Sequence, residues 1–584
     1  MPLNESRIFL REIFAWCLTM LQKERLYEAY VFFFFTLFSL SLYFAADGVF
    51  SVDDHFFHIR FAQMIRETGV EAFTHFQSLP LTEIVTKQEH LIYYNFLFYL
   101  VLLPFSLFSP LVFGLKLFGV FALAVSLTTV YSLFRRLAVH QPFLWTLFFL
   151  VALIESGLIV RFLSARPFAL APVLLLVILF LLYKRQFLAG AGISFVYFYW
   201  HTATFFLPIL VATAYFLFNR YYRAHEKFEW KIISLPFLGT LAAIALSYLI
   251  FPGVGIYLRD ITFPVLLDTS LLGGEIAEGF EVYGVSFPLL YQSLSFLIAP
   301  LIIFGCADIV EFLRRAKSSV LLTPLVDSAQ SALKTTFFLG AAALLVASFF
   351  SLRFADYFAY FSIMYSALAG QALFHELRRY VHFSWRPFKI GIILVLTLFL
   401  LNAPSRIRSY TKEIPSYLTA QAPSDWMNEH LPSGQLIFNT DWDAFPLFYY
   451  FTGDRFRYVT GLEPRFLYDY DTRLYWMWRH IGDEGIYCDI PNCTTALRRK
   501  ERSLGSLDVR GQFFVEEGDR IADAIKQEFG TDIILVRLDR KDVIELIGNS
   551  PRFRRMYSDM KSTFAIYRVV GASMPVSERE KSTQ

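Results

Sequence analysis

The chain has 584 residues, of which 56% are hydrophobic and only 18% are charged, and its formal net charge is +3. A soluble chain usually carries roughly a quarter charged residues, so this composition excludes an ordinary water-soluble protein and indicates a polytopic membrane protein. Because 53 basic residues are nearly balanced by 50 acidic ones, there is no overall positive field, and we predict no nucleic-acid partner.

The N-terminal segment 1–25 is amphipathic and charged and lacks a small-residue cleavage site, so we predict a retained cytoplasmic segment rather than a signal peptide. Apolar runs of roughly 16 to 24 residues follow it, the length that crosses a hydrocarbon core of ~30 Å. These candidate spans are near 26–48, 91–108, 111–134, 142–162, 167–183, 187–200, 202–219, 232–252, 287–306, 333–351, 354–376 and 387–403.

Basic residues between the spans predict which loops are cytoplasmic. They cluster at Arg135/Arg136, Lys184/Arg185, Arg220 to Lys231, Arg314 to Lys317 and Arg378/Arg379. This pattern places the loops 49–90 and 253–286 and everything after residue 404 outside, provided that the number of crossings is odd. The dozen candidates make an even number, and Lys116 and several helix breakers disturb the pattern between residues 90 and 134. We therefore predict 11 to 13 spans, with that region either partly re-entrant or crossing three times.

After the transmembrane region 26–404 the composition changes, and residues 405–571 predict an extracytoplasmic α/β domain. Strands are expected at 435–442, 531–538 and 564–570, and helices at 472–481 and 519–530, the latter stopped by Gly530. Cys488 and Cys493 are either a small-loop disulfide or two free thiols. The polar tail 572–584 is expected to be disordered.

The loop after the first span is unusually rich in residues that carry chemistry, with Asp53, Asp54, His55, His58 and Arg60 in one short stretch. If it is helical after Val52, Asp54 and His58 share a face. An Asp there can take a proton from an acceptor hydroxyl or hold a divalent cation, and His and Arg can contact phosphate oxygens. The alternative is an ordinary interfacial helix with Asp as its N-cap.

The pattern Asp54-x3-His58-x-Arg60 resembles the first-loop motif of the GT-C membrane glycosyltransferases, most closely the oligosaccharyltransferase catalytic subunit and more distantly the dolichyl-phosphate-mannose-type mannosyltransferases. The resemblance implies that Asp54 is the catalytic carboxylate, acting on a sugar carried by a polyprenyl phosphate or diphosphate. Asp53, His58 and Arg60 are then expected to bind the substrate or its phosphate.

Two further elements are similar to motifs of the same family. In SLRFADYFAYF, Arg353 and Tyr357 match the family's RF-x-x-Y element, which implies that Arg353 approaches the lipid-linked phosphate. Snorkelling at a helix end is the alternative for Arg353. Trp442 and Asp443 resemble part of the Trp-Trp-Asp motif that recognises an acceptor, although the same residues also fit a strand-to-helix turn.

The sequence also departs from the family. Where oligosaccharyltransferases carry a second acidic pair that helps to bind metal, this chain has Arg161 and Arg166. Arg166 is therefore predicted to bind the phosphate, and the metal is unknown: either no cofactor or a divalent cation, Mg²⁺ or Mn²⁺, with Glu278 and its acidic neighbours as a source of carboxylates.

Two polar residues near the spans are weaker candidates. His201 is either an acceptor-side residue or a histidine bonded to a backbone carbonyl. Glu155 lies inside a span and is expected to pair with Arg161 or Arg166.

Together these patterns predict a GT-C-like polytopic helical membrane protein that moves a sugar or glycan from a lipid-linked donor to a glycan, lipid or protein acceptor. The expected location is a bacterial inner (plasma) membrane, with the site facing outside, towards the periplasm and in contact with membrane lipid. The sequence contains no P-loop, GxSxG or HExxH motif. The alternative is a transporter or flippase of lipid-linked glycans that breaks no bond and does not need Asp54 as a base.

Overall fold

The computed structural model describes residues 23–45, 54–69, 95–223, 229–250, 287–317, 328–380, 385–411, 416–462, 464–503, 507–558 and 563–571. These residues form a mainly helical part followed by a smaller domain that contains a five-stranded sheet. The predicted fold class is therefore confirmed.

The first part of the chain contains fourteen described helices. They are α1 (Lys23–Ala45), α2 (His55–Thr68), α3 (Phe96–Leu102), α4 (Leu111–Arg136), α5 (Pro142–Glu155), α6 (Leu158–Leu163), α7 (Ala171–Tyr183), α8 (Phe187–Trp200), α9 (Leu207–Tyr222), α10 (Lys231–Ile250), α11 (Phe287–Lys317), α12 (Ser328–Ser348), α13 (Arg353–Tyr380) and α14 (Trp385–Thr411). Short 3₁₀ turns at Leu103–Leu107, Pro167–Ala169 and Thr202–Thr204 link some of them.

Every predicted apolar run coincides with a helix, and α2 is the additional helix after the first span. Among the described residues, six helices are long and apolar enough to cross a membrane, and five more are apolar but shorter. The chain is therefore an integral membrane protein. The run predicted at 354–376 is α13, which is buried almost continuously from Ala355 to Gly370 and belongs to neither group. Neighbouring helices surround it, so it tolerates polar residues that a lipid-facing helix would not.

Helices α1 and α4 pack side by side and run in opposite directions. Arg136 at the end of α4 lies 3.9 Å from Glu28 near the start of α1, whereas Lys116 near the start of α4 lies over the ring of Tyr43 near the end of α1. Gly119 allows α4 to approach the backbone carbonyl of Leu163, because any side chain at this position would overlap with that oxygen.

The second part is an α/β domain built around one mixed sheet. Its helices are α15 (Gln421–His430), α16 (Phe445–Thr452), α17 (Arg465–Tyr470), α18 (Thr472–Glu484), α19 (Thr494–Ser503), α20 (Leu507–Gln527) and α21 (Lys541–Asn549), and its strands are β1 (Leu436–Asn439), β2 (Arg457–Tyr458), β3 (Ile533–Arg537), β4 (Phe553–Ser558) and β5 (Phe564–Val569). The strand order is β2-β1-β3-β5-β4. Strand β1 pairs in parallel with β2 and β3, and β5 pairs antiparallel with both β3 and β4. The expected strands are β1, β3 and β5, whereas β2 and β4 were not predicted.

The domain rests directly on α2. The rings of Phe57 and Tyr449 lie 4.9 Å apart, those of Phe56 and Tyr450 lie 5.1 Å apart, and the Tyr449 hydroxyl contacts the sulfur of Met64 at 3.8 Å. Aromatic contacts of this kind contribute about 0.5–1.5 kcal/mol each beyond the area that they bury. Helix α2 is thus held between the membrane helices and α16.

Cys488 and Cys493 form a disulfide in the connection between α18 and α19. This outcome decides between the two alternatives that the sequence left open. Their sulfurs lie near the carbonyl of Ile490, which also accepts a hydrogen bond from His480 Nε2 at 3.0 Å.

Candidate active site

Asp54 stands at the N-terminus of α2, but its side chain makes no capping hydrogen bond. Its carboxylate instead accepts a hydrogen bond of 3.0 Å from Nη2 of Arg166, a residue 112 positions later. The Arg166 side chain is 9% exposed and that of Asp54 is 34% exposed. The carboxylate is therefore anchored on one side by a buried cation and accessible on the other, which an ordinary N-cap does not explain.

A second ion pair lies beside the first. Arg161 donates to both carboxylate oxygens of Asp356 at 2.8–3.1 Å, and Asp356 is completely buried. A buried carboxylate is strongly destabilising unless a cation neutralises it, so this forked pair fixes α6 to the first turn of α13. The guanidinium groups of Arg161 and Arg166 lie 4.5 and 5.4 Å from the ring centre of Phe168, which joins the two pairs into one cluster.

Tyr357, the residue after Asp356, belongs to a group of hydroxyl and imidazole side chains. Its hydroxyl lies 2.9 Å from Nδ1 of His201, 3.0 Å from the hydroxyl of Thr204 and 3.1 Å from that of Tyr197. Arg353 precedes Tyr357 by one helical turn, and its charge acts on His201. Arg353 and Tyr357, predicted from one motif, and His201, predicted independently, are thus neighbours.

His58 and Arg60 lie on other faces of α2. His58 is buried and its Nδ1 is 2.7 Å from the Tyr99 hydroxyl, while burial and the charge of Arg166 lower its pKa to about 3. The imidazole is therefore neutral. Arg60 donates to Gln63 at 2.6 Å and packs against Gly453 of the α/β domain, so it points away from Asp54.

Trp442 and Asp443 occupy the turn between β1 and α16, where the strand-to-helix alternative places them, and this position does not test the acceptor role. Asp443 accepts from Arg537 at 3.1 Å, and the same guanidinium lies 2.9 Å from the buried Asp441. Arg540 bonds Asp441 at 3.0 Å and Asp483 at 2.8 Å. These charges gather where the parallel strands β1 and β3 end, the edge at which ligands bind in many open sheets.

The electrostatics of this turn affect its exposed carboxyl group. Partial burial, together with the negative charge of Asp441, raises the pKa of Asp443 to about 7. Arg537 and Arg540 oppose this rise. Near neutral pH the Asp443 carboxyl group is consequently divided between its neutral and charged forms.

Two predicted site residues, Asp53 and Glu278, lie outside the described residues. Among the residues that are described, the structure corrects one pairing. Glu155 lies 3.1 Å from Arg406, not from Arg161 or Arg166, because those arginines are taken by Asp356 and Asp54. Asp356 and Asp441 were missed in the sequence. A carboxylate in the first turn of a predicted span was the available signal for Asp356.

The comparisons with known proteins bear on the fold. No family model and no curated protein matches the sequence. Among solved structures, the chain is similar to the crystal structure of an oligosaccharyltransferase from Archaeoglobus fulgidus, a complex with Zn and sulfate. The TM-score is 0.50 at 14% identity, and the match covers 94% of this chain and 74% of that chain. This chain has an oligosaccharyltransferase-like fold. The predicted GT-C-like architecture is thereby confirmed.

This fold raises the question of a divalent cation. Mg²⁺ and Mn²⁺ prefer several oxygen ligands. Around Asp54, however, the described side chains include arginines that hold both Asp54 and Asp356. Elsewhere in the described chain, His480 converges with Cys488 and Cys493, but the disulfide leaves no thiolate to bind metal. The described residues around Asp54 therefore do not fit a divalent cation.

Proposed function

We propose that the protein is a membrane glycosyltransferase that moves a sugar or glycan from a polyprenyl phosphate or diphosphate donor to an acceptor at the outer face of the membrane. The observation that carries this proposal is the accessible Asp54 carboxylate held by the buried Arg166 within an oligosaccharyltransferase-like fold. A base beside a fixed cation is what transfer from a phosphate leaving group requires.

In the proposed reaction, the donor phosphate competes with Asp54 for Arg166, which releases the carboxylate. Asp54 then accepts the proton of an acceptor hydroxyl, and the acceptor oxygen forms a bond to the anomeric carbon. The bond between that carbon and the phosphate oxygen breaks, and its electron pair stays on the phosphate. Arg166 and Arg353 stabilise this developing negative charge, since fixed cations need no reorganisation as the reaction proceeds.

Arginines take the part that a metal ion plays in other phosphate-transfer sites. Arg161 is neutralised by Asp356 and orients the cluster, and the proposal assigns Arg166 and Arg353 to the phosphate. Of the other predicted residues, Asp53, His58 and Tyr357 belong to the donor side of the proposal, whereas Arg60 contacts Gln63 and Gly453 and is not assigned to the phosphate. His201, Glu278, Trp442 and Asp443 belong to the acceptor side.

The outer location follows from the distribution of basic residues between the spans. The Cys488–Cys493 disulfide supports it, because disulfides persist in oxidising compartments such as the bacterial periplasm. A bacterial inner membrane with the α/β domain in the periplasm satisfies both observations.

The proposal is tested by mass spectrometry of polyprenyl-linked sugars and envelope glycans in cells that lack the protein. Complementation with the wild type should restore a missing glycan, whereas Asp54→Asn should leave the charged lipid donor accumulating. If Asp54→Asn restores the glycan as fully as the wild type, catalysis at Asp54 is wrong and a flippase, which needs no base, becomes the better explanation.

A further inference from the structure

An apolar groove runs along the first described helix, away from the charged cluster. It has a volume of about 200 Å³ and lies between α1, α4 and the 3₁₀ turn Leu103–Leu107 with its following residue. Its walls are formed by Phe32, Thr36, Leu40, Phe105, Phe108, Leu117, Val120 and Phe121. The one hydroxyl in this lining, that of Thr36, donates to the Phe32 carbonyl at 2.8 Å, so the groove offers its occupant hydrocarbon contacts.

One end of the groove carries a positive charge. On α1, the lining residues are spaced by four positions and lead towards Tyr43, and on α4 they follow directly after Lys116. Because α1 and α4 are antiparallel, Tyr43 and Lys116 meet at this end, with the ammonium group 5.9 Å from the centre of the Tyr43 ring.

Lys116 is half-buried within a long apolar helix. Within the part of the chain that the structure describes, no carboxylate pairs with it, and its contact is the Tyr43 ring. An ionisable residue inside a membrane helix is costly, and such residues usually face a partner or a substrate path. A lipid phosphate would supply Lys116 with a negative charge, and the groove beside it has room for the lipid's chain.

The same end of the groove adjoins the candidate active site. The Tyr43 hydroxyl donates to the Leu163 carbonyl at 2.5 Å, and Leu163 lies between Arg161 and Arg166 in the sequence. Gly119, one turn after Lys116, packs against that same carbonyl. A chain lying in the groove with its phosphate at Lys116 therefore points its headgroup towards the segment that holds Asp54.

We propose that this groove binds the hydrocarbon chain of a polyprenyl phosphate lipid and that Lys116 contacts the phosphate at the end of the groove nearest the charged cluster. The proposal rests on the proposed function for the identity of the lipid. Bulk phospholipid shares the combination of phosphate and apolar chain, but the adjacency to Arg166 favours the lipid on which the cluster acts.

The test uses the full chain in nanodiscs of phosphatidylcholine and a polyprenyl phosphate with a photoreactive diazirine on its chain. After irradiation, peptides from α1 and α4 should carry the label. Lys116→Met should lower labelling about ten-fold, because a hydrogen-bonded contact between charged groups is lost, and Lys116→Arg should retain it. Thr36→Phe, which fills the groove, should also lower labelling, whereas Leu37→Phe on the neighbouring, half-exposed face should not.

Thermal unfolding of each variant distinguishes a loss of lipid binding from a loss of folding. Two different substitutions are used so that the test still stands if one variant is unstable. The proposal is overturned if Lys116→Met and Thr36→Phe, both folded, label as the wild type does. It is also overturned if phosphatidylglycerol competes as well as unlabelled polyprenyl phosphate, which would identify a bulk lipid site.

The experiments distinguish a wrong lipid-binding site from a wrong proposed function. Asp54→Asn should be labelled like the wild type, because Asp54 is not part of the groove. Normal labelling together with unchanged glycans in cells lacking the protein would support the groove and overturn the glycosyltransferase. A glycan that the wild type restores, together with labelling that Lys116→Met leaves unchanged, would support the glycosyltransferase and overturn the groove.

Discussion

The protein has two charged clusters whose compositions are opposite. Between the membrane helices, three arginines accompany two aspartates, namely Arg161, Arg166, Arg353, Asp54 and Asp356. At the edge of the sheet, three described arginines are shared among four aspartates, namely Arg479, Arg537, Arg540, Asp441, Asp443, Asp483 and Asp539. Among the described residues, arginines outnumber aspartates in the first cluster, whereas aspartates outnumber arginines in the second.

The clusters also differ in their surroundings. Asp356 is completely buried among helices, whereas the side chain of Asp443 is 51% exposed at the surface of the α/β domain. Removing a partner from a buried pair leaves an uncompensated charge, but water replaces a lost partner at the surface. The same kind of substitution should consequently have very different effects in the two places.

The largest effect is expected on transfer itself. Asp54→Asn should lower the rate of glycosyl transfer by about 10²- to 10⁴-fold, the usual contribution of a general base. Because the carboxylate is partly exposed, thermal stability should change little. Transfer rates measured with purified protein and a lipid-linked donor check this, and a rate within two-fold of wild type, about the scatter of such assays, would remove Asp54 from the mechanism.

Breaking the buried ion pair should give the largest change in stability. Arg161→Met removes the ion pair of the buried Asp356 and should destabilise the protein by about 3–5 kcal/mol. The matched control is Arg473→Met, which breaks the exposed pair with Glu528 and should change stability by about 0–1 kcal/mol. Unfolding in detergent checks both variants. Equal losses of stability in the two variants would show that burial does not determine what an ion pair contributes in this protein.

The double variant sharpens the same comparison. Adding Asp356→Leu to Arg161→Met removes the orphaned charge and should recover much of the lost stability. A double variant that is less stable than Arg161→Met would show that Asp356 contributes through contacts other than this ion pair.

A smaller effect is expected from the disulfide of the α/β domain. Replacing Cys488 and Cys493 by serine should lower stability by about 2 kcal/mol, because the bond closes a short loop and short loops limit the unfolded chain less than long ones. Denaturation with and without a reducing agent checks this. If the reducing agent changes the serine variant as much as the wild type, the effect does not come from this bond.

The smallest effect concerns pH. Since the pKa of Asp443 is raised to about 7, the folded state keeps a proton that the unfolded state releases near pH 4. Stability from this group should therefore be highest at low pH and fall as the pH rises towards 7. Asp443→Asn should flatten this part of the wild-type profile, as measured by unfolding at pH 4.5 to 8, about the window between the two pKa values. An unchanged slope would show that the carboxyl group titrates normally.

Much of the fold was readable from the sequence, because apolar runs and strand patterns are local properties. Every predicted apolar run contains helix, although the run 142–162 is divided into α5 and α6, and three of the five strands were placed correctly. The missed β2 has only two residues, and the missed β4 is a largely exposed edge strand that begins with arginines after Phe553. Neither carries the apolar pattern by which strands are recognised.

The candidate site was only partly readable. Asp54 and Arg353 were predicted from motifs and Arg166 from a departure from the family's pattern, but their partners depend on tertiary packing. Arg161 meets Asp356 across 195 positions, and Arg166 meets Asp54 across 112. Sequence proximity therefore assigned Glu155 the wrong arginines, since charge pairing across helices is decided by which helix ends come together.

The placement of α2 between the membrane helices and α16 has a consequence for how such proteins diversify. The rings of Phe57 and Tyr449 are in contact, and Arg60 lies against Gly453, whose positive φ of 59° disfavours a larger residue. The helix that begins with Asp54 is therefore also part of the seat of the α/β domain. An α/β domain taken from another protein would lack the complementary surface on α2. Exchange of the two halves between such proteins therefore requires that α2 and α16 are exchanged together.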